Sequence, residues 1–345
     1  MSTNFSDLTD APLCYPSLSG SCIKENRPFS VRFPMYLFMV VTIMVTVCGN
    51  LVVIASIAHF RQLHTSTNYL ILSLAVCDFL LGGLIMPYST VRSVEGCWYL
   101  GDFFCSVHTS TDIMLSTASI FHLSFISIDR YFAVCDPLRY RNKITTLVVL
   151  IMITVSWMVP GVFAFGLIFF ELNIKGSDYQ HYKNIKCTGG CTVFFSKPSG
   201  VVASMLSFFI PGFVMLAIYL KIYLVARRQA KSIKDITHLF QAAEENKCGI
   251  SRQKERKAAK TLGIVMGVFL ICWSPFFVCN IMDPFTDYIT SPVLIDALVW
   301  FGYLNSAFNP IVYAFFYKWF RKALRIIMLG RIFEKDSSRI KLFIE

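Results

Sequence analysis

FPMYLFMVVTIMVTVCGNLVVIASIA, residues Phe33–Ala58, runs 26 residues without a charged side chain. As a helix rising 1.5 Å per residue it reaches about 39 Å, enough to cross the roughly 30 Å of hydrocarbon in a bilayer. Outward from it, six more apolar stretches follow: Tyr69–Val91, Cys105–Val134, Leu147–Phe170, Val201–Val225, Thr261–Met282 and Leu294–Tyr317. The third is the most polar, and the seventh is interrupted by Asn309-Pro310. Of 345 residues, 55% are apolar and only 15% charged, against about 25% charged in an ordinary soluble domain. The fold class that follows is an all-α membrane protein, a bundle of seven transmembrane helices. Its expected parts are an N-terminal segment (1–32), the bundle (33–317), and a surface helix with a tail (318–345). There is no internal repeat and no soluble domain.

The net charge of +11 is gathered in the connections between apolar runs rather than on one face. It therefore marks membrane topology, and nucleic acid is not an expected partner. The connections after spans 1, 3 and 5, with the tail, hold 22 of the 32 Lys and Arg, while the N-terminal segment and the other connections hold 8. The first set is expected in the cytoplasm and the N-terminus outside. The first residues lack a basic start followed by an apolar run, so no cleavable signal is expected. Asn4-Phe5-Ser6 is a glycan acceptor triplet, in keeping with an outside N-terminus. Six cysteines (Cys14, Cys22, Cys97, Cys105, Cys187 and Cys191) fall on that oxidising side, enough for three disulfides. After the seventh span, Phe320, Leu324, Ile327 and Met328 recur at helical spacing, with Arg321, Lys322 and Arg325 between them. That pattern predicts a short amphipathic helix on the lipid surface.

An ionisable residue within a span is costly and reads first as a functional site. Asp78 falls mid-way through span 2, and Asp112 about two turns into span 3 from its outer end. Asp129-Arg130 follows near the inner end. Asp112 and Arg130 are 18 residues apart, five full turns, so both lie on one face about 27 Å apart. Ser116 and Ser119 continue the stripe from Asp112. No Lys or Arg in another span stands at the depth of Asp112, so the carboxylate needs a cation from elsewhere. A ligand ammonium supplies one. Trp273, Phe276 and Phe277 share a face of span 6, Trp300 and Tyr303 a face of span 7, and aromatic faces attract an ammonium. Ser204 and Ser207, three apart in span 5, are placed to meet a polar group on the ligand. The bland readings are packing for the aromatics and helix–helix hydrogen bonds for the serines.

These residues resemble a family. Gly49-Asn50, Asp78, Asp129-Arg130-Tyr131, Trp157, Pro211, Cys272-Trp273-Ser274-Pro275 and Asn309-Pro310-Ile311-Val312-Tyr313 fall in the order and spans of rhodopsin-like G protein-coupled receptors. The resemblance covers about Phe33 to Leu329. Asp112 matches the position of the ligand-pairing aspartate of amine receptors. Asn305–Phe320, NSAFNPIVYAFFYKWF, resembles the fingerprint of the trace amine-associated receptors, and His108–Tyr131 and Lys260–Phe277 are similar to one branch of them. Two features depart from the class: Lys318 replaces the proline usual before Trp319-Phe320, and no Cys follows Tyr317 to carry a palmitoyl anchor.

The resemblance implies a plasma-membrane receptor whose agonist is a small arylalkylamine such as phenylethylamine or tyramine. Its ammonium would pair with Asp112, beside Tyr303. The ring would lie among Ile113, Ser116, Trp273, Phe276 and Phe277, with Ser207 and Ser204 meeting a para substituent. Ala203 offers no hydroxyl for a catechol. Val193, Phe195, Arg92 and His108 would form the lid and rim. Asp78, Ser119, Asn305, Ser306 and Asn309 resemble the family's sodium pocket, although a water-filled network suits them equally; no other cofactor or metal is expected. Proline kinks at Pro211, Pro275 and Pro310 would let span 6 swing out. Arg130, Tyr131, Tyr219 and Tyr313, with Asp129, Asn309 and Pro310, would then open an inner cleft for the heterotrimeric stimulatory G protein. The basic ends Arg227, Arg228, Arg256, Lys257 and Lys260 would flank that cleft. The resemblance pairs Cys105 with Cys191. Of the three pairings left for the other four cysteines, Cys14–Cys187 with Cys22–Cys97 is the favoured expectation.

Rivals are separated by simple features. An opsin needs a Lys within span 7, and none precedes Lys318. A transporter should show matched broken helices in two halves, and only span 7 is broken. An intramembrane enzyme needs clustered titratable groups at one depth, whereas the spans offer His122 near Asp112 and Asp78; the expectation is therefore not an enzyme. A peptide receptor of the same fold would still bind its ligand with Asp112 changed to Ala. Nothing in the sequence specifies dimerisation.

Overall fold

The computed structural model describes residues 12–175, 186–237 and 246–342; Asn4 lies outside them. Among these residues seven long helices form the bundle, a short helical turn at Pro137–Lys143 joins the third to the fourth, and a further helix follows the seventh. α1 is Phe29–His59 and α2 Ser66–Glu95, with a π turn at Leu81–Ile85. α3 is Gly101–Cys135 and α4 Thr146–Phe169. α5 starts with Lys197–Ser204, passes a π turn at Met205–Phe209 and continues over Ile210–Thr237. α6 is Asn246–Met282, α7 Pro292–Phe316 and α8 Lys318–Met328. Each π turn stands just ahead of a proline, Pro87 or Pro211. A proline donates no backbone hydrogen bond, and a widened turn before it accommodates the freed carbonyl. Thr65, Thr145 and Ser291 cap α2, α4 and α7 by accepting from the backbone N–H three residues on.

Among the described residues, six helices are long and apolar enough to cross a membrane. α7 is also long enough, and Asp296, Asn305, Ser306 and Asn309 interrupt its apolar character. α2 and α3 bury most of their lengths, whereas α1 and α4 bury about a quarter. The outward faces of α1, α4 and α5 carry exposed Leu37, Val41, Leu150, Val162 and Phe213. In water such a surface would aggregate, and in lipid it is the proper solvent. The polar groups turn inward: Asn50, Asp78, Ser119, Asn305, Ser306 and Asn309 are all nearly inaccessible.

The end of the bundle near the N-terminal segment is tied by three disulfides. Cys105–Cys191 is as expected, with Cα atoms 5.7 Å apart. The other two correct the favoured pairing: Cys14 bonds Cys97 and Cys22 bonds Cys187. The cause is a small backbone pairing. Leu13 bridges Ile23 in antiparallel fashion and Ser21 bridges Thr188 in parallel. The Cys22 N–H donates to the Thr188 carbonyl at 2.9 Å, which seats Cys22 beside Cys187 and turns Cys14 toward the loop after α2. Glu95 takes Lys24 at 3.1 Å and also Arg32, fastening the segment further. The Glu95 hydrogen bond raises the pKa of the Lys24 ammonium.

The surface helix forms where expected, but its buried stripe is turned by about one residue. Trp319, Phe320, Ala323 and Ile326 face the bundle, Leu324 and Ile327 are half-buried, and Met328 is exposed. The bundle, not lipid alone, thus covers part of the apolar face.

Candidate functional site

α3, α6 and α7 bring the predicted pocket residues together. Asp112 is half-buried, with its side chain aimed into the bundle. Tyr303, completely buried on α7, donates its hydroxyl to Oδ2 of Asp112 at 2.6 Å, and Ser116 donates to Oδ1 at 3.3 Å. Both donors are neutral. Among the described residues no Lys or Arg forms an ion pair with Asp112. Two hydrogen bonds orient the carboxylate and leave its charge uncompensated, which is the condition for recruiting a cation.

Trp273 stands at the hub of the aromatic wall. Its ring centroid lies 5.9 Å from Phe276, 5.8 Å from Phe277 and 6.4 Å from Tyr303. Phe277 stacks on Phe208 of α5 at 4.7 Å, a partner the spacing argument did not name. Trp300 meets Tyr303 edge-on at 5.4 Å and donates to Ser93 at 3.1 Å. Gly302 packs so closely that a Cβ there would lie 2.7 Å from the Trp273 ring. Ile113 is half-buried on α3, and Val193 and Phe195 are half-buried in the loop leading to α5.

Some predicted residues have other partners. Ser204 is buried and accepts from Asn280 of α6 at 2.9 Å, so its hydroxyl joins two helices. Ser207 is buried within the π turn that follows Ser204. His108 is not at the rim: it is buried under Trp98 at 5.1 Å and hydrogen-bonds the Ile85 carbonyl at 3.3 Å. Arg92 pairs with Asp296 at 3.3 Å and donates to the Cys191 carbonyl at 3.4 Å. It spans the pocket mouth from α2 to α7 and to the loop. Asn280 and Asp296 had a signal in the sequence. Asn280 follows Trp273 by seven residues, two turns along the same face, and Asp296 is a carboxylate within a predicted span.

Deeper in the bundle, Asp78 accepts from Ser119 at 3.2 Å, Ser306 at 2.7 Å and Asn309 at 2.7 Å. Asn305, equally buried, has no hydrogen-bond partner for either amide atom among the described residues. This cluster of oxygens with an orphaned amide fits a hard cation or ordered water.

At the opposite end, Asp129 is buried and Arg130 closes on it and on Thr67. Thr67 donates to Asp129 at 2.9 Å and Tyr140 donates at 2.8 Å, so four groups hold one another. Burial pushes the Tyr140 phenol above its usual pKa, keeping it a donor. Tyr131 packs beside Val134 and Ile222. Tyr313 is buried, 5.8 Å from the Tyr317 ring, and Tyr219 packs at Gly263 of α6. Pro310 sits inside α7 next to Asn309. Arg227 and Arg228 are exposed on α5; the side chains of Arg256, Lys257 and Lys260 lie outside the described residues.

Known proteins are similar in sequence over nearly the whole chain. The family model of the 7 transmembrane receptor (rhodopsin family) matches residues 49–313. Trace amine-associated receptor 1 of Macaca mulatta is 64% identical over 334 residues, 97% of this chain and 99% of that relative. Trace amine-associated receptor 1 of Homo sapiens is 62% identical, over 97% and 98%. Trace amine-associated receptor 4 of Mus musculus is 52% identical, over 96% of each chain. With seven helices, an inward-facing polar core and this likeness from end to end, the chain belongs to the trace amine-associated receptors of the rhodopsin-like G protein-coupled receptor family, and is a receptor rather than an enzyme.

Proposed function

We propose that this receptor responds to small protonated arylalkylamines, such as phenylethylamine and tyramine, and signals through the stimulatory G protein to raise cyclic AMP. It does so from the plasma membrane with its N-terminus outside. The observation that carries the reading is the Asp112 carboxylate, oriented by Tyr303 and Ser116 and lacking a cationic partner among the described residues.

The ammonium of the amine replaces the missing cation, and the hydroxyl of Tyr303 keeps the carboxylate aimed at it. The ring enters the wall of Trp273, Phe276 and Phe277 beside Ile113, with Ser207 available to a para hydroxyl. Val193 and Arg92 narrow the mouth. A ligand seated against Trp273 favours the bundle state in which α6 swings outward at Pro275. That swing gives up the resting contacts around Arg130 and frees Arg130, Tyr219 and Tyr313 to line a cleft for the G protein. A sodium ion at Asp78, held with Ser119, Asn305, Ser306 and Asn309, would favour the resting state by filling the mid-bundle polar cluster.

Cyclic AMP in cells expressing the receptor, across a panel of arylalkylamines, tests this reading beside Asp112→Asn at matched surface expression. A response to at least one primary amine is expected, with a loss of potency of roughly a hundredfold in the variant. Silence to every amine, or equal potency in the variant, sinks it.

A further inference from the structure

Beyond α8 the chain does not leave the bundle. Gly330, with φ +68°, ends the helix in the left-handed conformation that suits glycine, and Asp336, with φ +63°, makes a second turn. Between them and Leu342 the segment runs back beneath α1. Ser337 is 4% exposed, and its hydroxyl donates to the Ile332 carbonyl at 2.7 Å. A serine has one proton to give. The 2.9 Å contact between Ser337 Oγ and His59 Nε2 is therefore donated by the histidine, from the end of α1. The Leu342 side chain is 2% exposed within the main core, and its N–H donates to Gln62 Oε1 at 2.9 Å. Ile340 packs on the same core. Lys322 of α8 donates to the Lys341 carbonyl at 2.7 Å. Its neighbour Arg321 ties the same end of α8 to α7, donating to the carbonyls of Ala314 and Phe315 at 2.9 and 2.7 Å.

We infer that Arg331–Leu342 is an intramolecular latch that fixes α8 against the turn between α1 and α2. Its hold comes from Leu342 and Ser337, since the ion pairs Arg331–Glu334 and Arg339–Asp336 are exposed and contribute little. The latched turn leads straight into the Arg130 cluster: Asn68 donates to the Leu63 carbonyl at 2.8 Å, and the neighbouring Thr67 holds Asp129 and Arg130. The tail thus bears mechanically on the end of the bundle where Arg130 rests. A charge placed at residue 337 or 342 finds no water and releases the latch.

Hydrogen exchange of the full chain in lipid nanodiscs tests this, comparing wild type with Leu342→Asp, Ser337→Asp and His59→Ala. Ser337 and Leu342 follow the last span and His59 is the final residue of α1, so the rest of the bundle serves as an internal control. Peptides covering Lys318–Met328 and the α1–α2 turn are expected to exchange at least tenfold faster in the two aspartate variants, and faster also in His59→Ala, while α3 and α6 keep their rates. Wild-type exchange of α8 in both Leu342→Asp and Ser337→Asp, or acceleration spread evenly over all helices, overturns the latch.

Discussion

Asp112 and Tyr303 are 191 positions apart and meet at 2.6 Å. A hydrogen bond to a charged group contributes about 1.5–3 kcal/mol. Tyr303→Phe keeps the ring in its place against Trp273 and Trp300 and removes only that bond. Amine potency is expected to fall roughly tenfold with maximal response retained, measured as a cyclic AMP dose–response curve. The two serines of α5 should part company. Ser204→Ala leaves the Asn280 amide without its acceptor, so a lowered melting temperature is expected, with little preference between amines. Ser207→Ala should weaken tyramine and spare phenylethylamine, which has no ring hydroxyl. At this scale the sequence showed the stripe from Asp112 to Arg130, because helical periodicity is local. It did not show that Ser204 answers to Asn280, or that His108 is covered by Trp98, because those contacts join distant segments.

The elements themselves were legible where their physics is periodic and obscure where the period breaks. Span limits fell within about four residues of the helix ends, except where α5 runs on to Thr237 and α6 begins at Asn246, well beyond the apolar stretches. The π turns at Leu81–Ile85 and Met205–Phe209 were not foreseen, although Pro87 and Pro211 mark where each one is needed. Such a turn rotates everything beyond it relative to an unbroken α-helix. The disulfide pairing was likewise invisible, since four cysteines allow three arrangements until the Ser21–Thr188 bridge chooses one. α6 and α7 meet through a feature that is tested easily. Gly302 leaves just enough room for Trp273, and a methyl group there would lie 2.7 Å from the ring. Gly302→Ala overpacks the contact, and a destabilisation of about 1–3 kcal/mol is expected, read as a lower thermal midpoint of the purified receptor.

For the molecule as a whole, one thermodynamic requirement explains the architecture. Lipid covers the apolar outer faces, so the polar side chains have only the interior, and they collect there in three tiers at Asp112, Asp78 and Asp129. The lowest tier is closed by Arg130, while in the middle one Asp78 accepts three neutral hydrogen bonds beside the orphaned Asn305 amide. The uppermost is oriented by Tyr303 and Ser116, has no cation among the described residues and stands beside the aromatic wall. Binding of phenylethylamine to the purified full-length receptor, wild type against Asp112→Asn, is the direct measurement. The neutral side chain is expected to lower affinity by about a hundredfold or more while the fold keeps its thermal midpoint within a few degrees. An affinity unchanged within a factor of about three, in a variant that remains folded, contradicts it.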